Sequence, residues 1–315
     1  MHLLIPHAAS LSEAGQAAWA ELALPHLEAL LRRLETASRW EGDEYRLSMP
    51  HERVLGLALG WVGEDGTLPW AARSAAMDGV NVDRSRKAWG LISPVHWQVG
   101  REHLTMGDPD DLELDPDESR AFFEAVQHLF REQGWVFVWR APTRWYVQHE
   151  SLAGVPTASL DRVIGRNPDL WMPDHPAARA VKRLQSEVQM LLHTHPRNAA
   201  REAAGKLALN SFWLSGCGLP QLDRGDPPRL LEALRAPALR GDWLAWREAW
   251  RELDAGPLRE ALAADKRGEP VKLTLCGERH ALGLRSRAPG FGARLASMTQ
   301  RWRDDRSVAA ALATL

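Results

Sequence analysis

The segment that most constrains this chain runs from His195 to Gly218, HPRNAAREAAGKLALNSFWLSGCG. Its first half is polar and basic, with Asn198, Arg201 and Lys206. An apolar run from Leu207 to Leu214 follows, interrupted by Asn210 and Ser211, and Ser215-Gly216-Cys217-Gly218 closes it. A short apolar run bounded by glycine suits a buried strand, although periodicity does not separate it from a helix segment. Glycines at its end give a turn its positive φ or let another group approach the backbone. Ligands of open α/β sheets lie beyond the carboxyl ends of strands, so the loop after this run is the first place to seek a site. A buried strand with a tight exit and no ligand accounts for the same residues.

Elsewhere the periodicity alternates between strand and helix. Residues 2–5 form a short strand stopped by Pro6, and Ser12-Glu13 opens an Ala-rich helix. Leu24, Leu27, Leu30, Leu31 and Leu34 recur at helical spacing behind Pro25, and 50–61 makes another short helix. Residues 62–88 read as polar loop, and 89–106 as strands. The clearest helix follows Asp115-Pro116, with an N-cap, a proline at N1, acids in the first turn and Gly134 after its end. Residues 135–140 and 143–150 form a hairpin, 151–175 is mostly loop, and 176–195 is a helix. Asp226 caps a helix begun by Pro227-Pro228. Asp242 caps another, on which Trp243, Trp246 and Trp250 share a face that reads as core. A hairpin spans 271–277 and 280–286, and a helix spans 291–304.

The 315 residues carry a net charge of −2, which gives no global pull toward nucleic acid or a membrane surface. Lysines number five (87, 182, 206, 266 and 272), leaving 39 − 5 = 34 arginines, a bias that GC-rich coding explains as well as function does. The two cysteines imply no disulfide framework, and the apolar run at residues 3–5 is too short for a signal peptide or a span, so a cytoplasmic protein is expected. No G-x-S-x-G elbow, phosphate loop or dinucleotide fingerprint occurs. His193-x-His195 alone is a weak metal signal. One group of polar residues falls on loops and element ends: Arg144, His149, Asp161, Arg162, Arg166, His195, Asn198, Arg201 and Asn210. Arginines with His and Asn suit an anion such as phosphate, and they equally suit a hydrogen-bonded structural junction.

The order of DESRAFFEAVQHLF, RWYVQH and the His195–Gly218 run resembles archaeal-type cofactor-independent phosphoglycerate mutases. PHERVLGLALGW, WGLISPVHW, ASLDRVIGRNPDLW and LTLCGERH resemble, over nearly the full length, bacterial RpfE-type regulatory proteins often labelled as such mutases. The resemblance implies an alkaline-phosphatase-like, doubly wound α/β core with a smaller inserted α+β module. In that family two divalent metals and a phosphorylated Ser do the chemistry, with an Asp after the first strand and Asp and His late in the chain as metal ligands. Here Pro6-His7-Ala8 follows the first strand, and only His280 remains beyond His195.

The expectation is a degenerate core formed by 1–95 and 196–315, with 96–195 inserted. The expected function is that of a catalytically inactive regulatory or binding protein with no cofactor. Its partner would be an unidentified protein or a small anion held by Arg144, Arg162, Arg166, His195, Asn198, Arg201 and Asn210, with nucleic acid last. The alternative is a phosphomutase or phosphatase with a rebuilt site, using Mn²⁺ or Mg²⁺.

Overall fold

A computed structural model describes residues 1–20, 22–83, 87–101, 103–176, 178–287 and 307–315. The helix expected over 291–304 lies outside them. The chain divides into two compact units, one of 1–45, 49–59 and 225–315, the other of 46–48 and 60–224. It starts in the first unit with β1 (His2–Ile5), α1 (Glu13–Ala20), α2 (Pro25–Arg33), β2 (Glu35–Trp40) and α3 (Pro50–Ala58). The second unit contributes α4 (Trp70–Met77), β3 (Ala88–Val95), β4 (Trp97–Val99), β5 (Leu104–Met106) and α5 (Pro116–Glu132). It continues with β6 (Val136–Ala141), β7 (Arg144–His149), α6 (Leu160–Val163), α7 (Ala178–His193), α8 (Pro196–Ala203) and β8 (Ser211–Gly218). The chain then returns through β9 (Arg229–Leu230), α9 (Arg235–Arg240), α10 (Trp243–Leu253), α11 (Arg259–Lys266), β10 (Lys272–Cys276), β11 (Ala281–Arg285) and α12 (Val308–Leu312).

The first unit holds a mixed sheet in the order β2-β11-β10-β1-β9. β1 runs parallel to β9 and β10, while β11 and β2 are antiparallel. The coarse α/β expectation therefore holds, with a sheet that is mixed. Leu3, Ile5, Leu273 and Leu275 of the sheet join Leu27, Leu30 and Leu31 of α2 in one core. Trp246 and Trp250 are fully buried in it and pack edge-to-face at 6.1 Å, so the tryptophan stripe is core. The helix expected from Pro227-Pro228 is absent. Residues Arg229 and Leu230 instead pair with Leu3 and Leu4, because extending the β1 edge satisfies backbone groups that an isolated turn would leave open.

Between α10 and α11 lies a π turn, Asp254–Leu258, containing Pro257. Proline has no N–H and its ring clashes with the carbonyl four residues back, so the helix widens there instead of continuing as α. The turn aims the buried Asp254 at the start of α2. Its carboxylate accepts from Leu27 N (2.8 Å), His26 N (3.2 Å) and His26 Nδ1 (2.9 Å), capping α2 from 228 residues away.

The second unit is an antiparallel sheet, β6-β7-β3-β8. α5 and α7 bury Phe122, Phe123, Val126, Phe130, Val181, Leu184 and Val188 against one face. Ala71, Ala72 and Ala75 of α4 pack with Trp89 and Tyr146 on the other. Helix α4 and strand β2 fall where the sequence showed no periodicity: α4 is short, lacks a side-chain cap and binds through alanines, and β2 is mostly exposed. β3 pairs with both β7 and β8, which gathers residues from both sides of positions 95 and 195 into one unit running from 60 to 224.

The glycines of Ser215-Gly216-Cys217-Gly218 lie inside β8, not in a turn after it. A Cβ on Gly216 would stand 2.8 Å from Ala71 N, and one on Gly218 2.8 Å from Thr67 O. Close approach demands glycine at both positions, and Gly216 needs it also for its left-handed φ of +63°.

Candidate functional site

Helix α8 carries three of the residues singled out above, and it uses them as a clamp. His195 is its N-cap, with Nδ1 accepting from Arg197 N at 3.3 Å. Burial, and then the neighbouring charge of Arg197, lower the His195 pKa. Asn198 is buried; Nδ2 donates to Leu192 O (2.8 Å) and Leu209 O (2.7 Å), and Oδ1 accepts from Leu209 N (2.9 Å). Arg201, 2% exposed, donates from Nε to Leu207 O (2.7 Å), from Nη1 to Glu118 (2.5 Å) and from Nη2 to Leu112 O. Asn210 closes the run by accepting from Trp97 N (2.7 Å) and donating to Trp97 O (2.9 Å). The polar half of the run thus satisfies the backbone of loop 204–210 and positions β8 against β3.

The remaining candidates are held elsewhere in the same unit. Arg144 makes a bidentate contact with Asp78 (2.8 and 3.0 Å), and Tyr146 donates its hydroxyl to the same carboxylate at 2.6 Å. Burial works against ionising Asp78, but the bonds from Arg144 and Tyr146 outweigh it and lower its pKa. Burial, with the Asp78 bond, pushes the Tyr146 hydroxyl well above its usual range. The guanidiniums of Arg162 and Arg166 each stand 5.9 Å from the Trp171 ring. Arg162 is 1% exposed and donates to Ser48 O at 3.4 Å. Asp161 lies in the first turn of α6. His149 stacks on Trp135 at 5.8 Å and contacts the Ser151 hydroxyl at 2.8 Å. Eight of the nine residues therefore fall into several local groups, with Asp161 outside them: the α8 clamp, the Asn210 link, the Asp78 contact, the Trp171 pair and the His149 stack.

The edge where an open sheet places ligands lies in the first unit, at the carboxyl ends of β1 and β10. His7, just past β1, is buried at φ +53°, a left-handed conformation that costs a non-glycine residue roughly 1–2 kcal/mol. Its carbonyl accepts from Trp246 Nε1 at 3.0 Å, and its ring stands 5.6 Å from that of His51 in the first turn of α3. Next along the chain, Ser10 Oγ and Leu11 N donate to Glu278 in the turn after β10, at 2.8 and 3.0 Å. His280 Nδ1 accepts from Gly42 N at 3.2 Å. A strained, buried residue at such an edge marks a candidate site. Sequence reading noted His7 only as a missing Asp; its neighbour His51, 44 positions on in the chain, carried no local signal.

An imidazole pair can bind an anion or relay a proton. The donors do not fit a pair of divalent ions, which need several carboxylates and imidazoles around centres about 4 Å apart. Among the described residues no three His, Cys, Asp or Glu converge. Both cysteines are buried and free, and burial pushes the Cys217 thiol up to about 12, far from the thiolate a nucleophile requires. No helix among the described residues is long and apolar enough to cross a membrane.

No protein-family model and no curated protein matches this chain. Among solved structures it is similar to the cofactor-independent phosphoglycerate mutase from Thermoplasma acidophilum, at 13% identity over 90% of this chain and 88% of that one, with a TM-score of 0.38. It is also similar to the PH0037 protein from Pyrococcus horikoshii, at 13% identity over 90% of this chain and 87% of that one, with a TM-score of 0.45.

Proposed function

We propose that this chain is a catalytically inactive relative of the phosphoglycerate mutases that acts by binding, as a regulatory or interaction protein. The observation that carries the reading is the edge after β1 and β10. It presents His7 and His51, with Glu278 engaged by Ser10 and Leu11, where two-ion phosphoryl transfer calls for a ring of carboxylates and imidazoles. The arginines and asparagines of the second unit support it from the other side. Asn198, Arg201 and Asn210 spend their donors on backbone and on Glu118, and we assign a small anion to the imidazole edge instead.

Elemental analysis of the purified protein, with a 3-phosphoglycerate mutase assay in Mn²⁺ and Mg²⁺, tests inactivity: neither stoichiometric metal nor turnover is expected, and the two together would overturn the reading. Histidine NMR tests the ligand edge. Inorganic phosphate is expected to shift the His7 and His51 ring signals, with the His7 shift lost in His51→Gln. Unmoved signals would remove the anion and leave inactivity standing.

A further inference from the structure

Sheets end in strands whose outer N–H and C=O groups need a partner, and folded proteins cover or blunt those edges. β8, one edge of the second unit's sheet, is covered: Phe212 O accepts from Gln185 Nε2 (2.7 Å) and Cys217 N donates to Thr157 Oγ1 (3.2 Å). β2, at the edge of the first unit's sheet, is blunted by Glu35, Arg39 and an irregular register with β11. β6 has neither defence along Val136 to Trp139. It pairs with β7 on one side, and among the described residues no hydrogen bond reaches the backbone of its other side. Its composition, VFVW, is strongly β-forming, and its single charge, Arg140, sits at the register shift that ends the regularly paired run.

We infer that β6 is a self-association edge, on which two copies of this chain pair antiparallel about a two-fold axis at Val138. The sequence is self-complementary in that register. Phe137 and Trp139 lie on the α5 face, where Phe137 stacks on Phe123 and Phe130 and Trp139 bonds Ser119. Pairing about Val138 sets Phe137 opposite the partner's Trp139 on that face, an aromatic cross-strand pair. It sets Arg140 opposite Val136 of the other copy, so no like charges meet. One short edge buries little area, which makes the dimer weak and concentration-dependent. The inference does not rest on the absence of catalysis.

Sedimentation of the full chain across a concentration series tests it. Val136 is 45% exposed, so charging it leaves the fold intact. Val136→Arg places two like-charge pairs across the axis and is expected to weaken dimerisation roughly fivefold, while Val136→Glu creates two opposite-charge pairs and tightens it by a similar factor. Val138→Cys is expected to cross-link to itself under oxidised glutathione, since facing Cα atoms about 4.5–5.5 Å apart accept a disulfide and both native cysteines are buried. A wild-type chain that stays monomeric throughout, or a dimer indifferent to both charges, overturns the inference. So does a Val138→Cys variant that stays reduced and monomeric, the result expected if β6 instead receives a strand from another protein.

Discussion

Replacing Arg201 with Met separates the clamp from an anion pocket. Arg201 is 2% exposed, and its partner Glu118 is also largely shielded. Met retains much of the apolar stem but leaves that carboxylate without its cation, and removing one member of a buried pair costs about 3–5 kcal/mol. The carbonyls of Leu207 and Leu112 also lose donors, at about 1 kcal/mol each if water does not replace them. Some water reaches Glu118, so the lower end of the range applies, and about 5 kcal/mol in total is expected. For a unit of this size that is a fall of roughly 10–20 °C in Tm. Urea unfolding followed by tryptophan fluorescence measures it, with hydrogen exchange at residues 204–210 locating the loss. The double variant Arg201→Met, Glu118→Gln is expected to be less destabilised than the two single effects added together. A loss below about 1 kcal/mol, accompanied by loss of phosphate binding, would refute the clamp and restore Arg201 as a ligand.

Ser119→Ala leaves the indoles of Trp139 and Trp145 and the Pro142 carbonyl without the hydroxyl that joins them, and about 2–3 kcal/mol of stability is expected to disappear in urea titration. His7→Gly is expected to be more stable than His7→Ala by about 1 kcal/mol, because both lose the ring but only Ala keeps the left-handed strain; equal urea midpoints would contradict the backbone reading. The folded pKa of Asp78 lies below its ordinary 3.8, so its contribution to stability is present above that value and is lost as pH falls through the folded one. Asp78→Asn should therefore flatten the fall of urea midpoint expected of the wild type as pH drops below 3.8. Neither cysteine should react with a thiol reagent until the protein unfolds, and a native-state thiol titre would count against the burial of Cys217 and Cys276.

The elements that carry their own punctuation were legible in the sequence. Asp115 and Pro116 start α5, and Asp115 accepts from Asp117 N and Glu118 N as an N-cap does. β1 occupies its expected residues, and the β6–β7 and β10–β11 hairpins pair as their alternation indicates. What escaped depends on partners remote in sequence. β9 is a strand only because β1 lies beside it, and the glycines of β8 answer to the approach of α4 and of the residues just before it. The polar cluster was legible as chemistry but not as role. Asn and Arg beside a loop have one signature whether they grip phosphate or backbone, and only their distances to Leu207, Leu209 and Trp97 decide. The His7–His51 pair had no signature because a φ angle and a ring contact are not written in spacing.

The cap that Asp254 places on α2, together with the pairing of β1 to β9 and β10, fixes an order of events on the ribosome. Residues 2–5, and the His26 and Leu27 N–H groups that open α2, cannot find their hydrogen-bonding partners until residues 229–276 have emerged. The stretch 60–224, by contrast, holds its own core and has no such wait. The segment made before the second unit is therefore secured after it, and it stays open to chaperones and proteases while residues 60–224 are being translated.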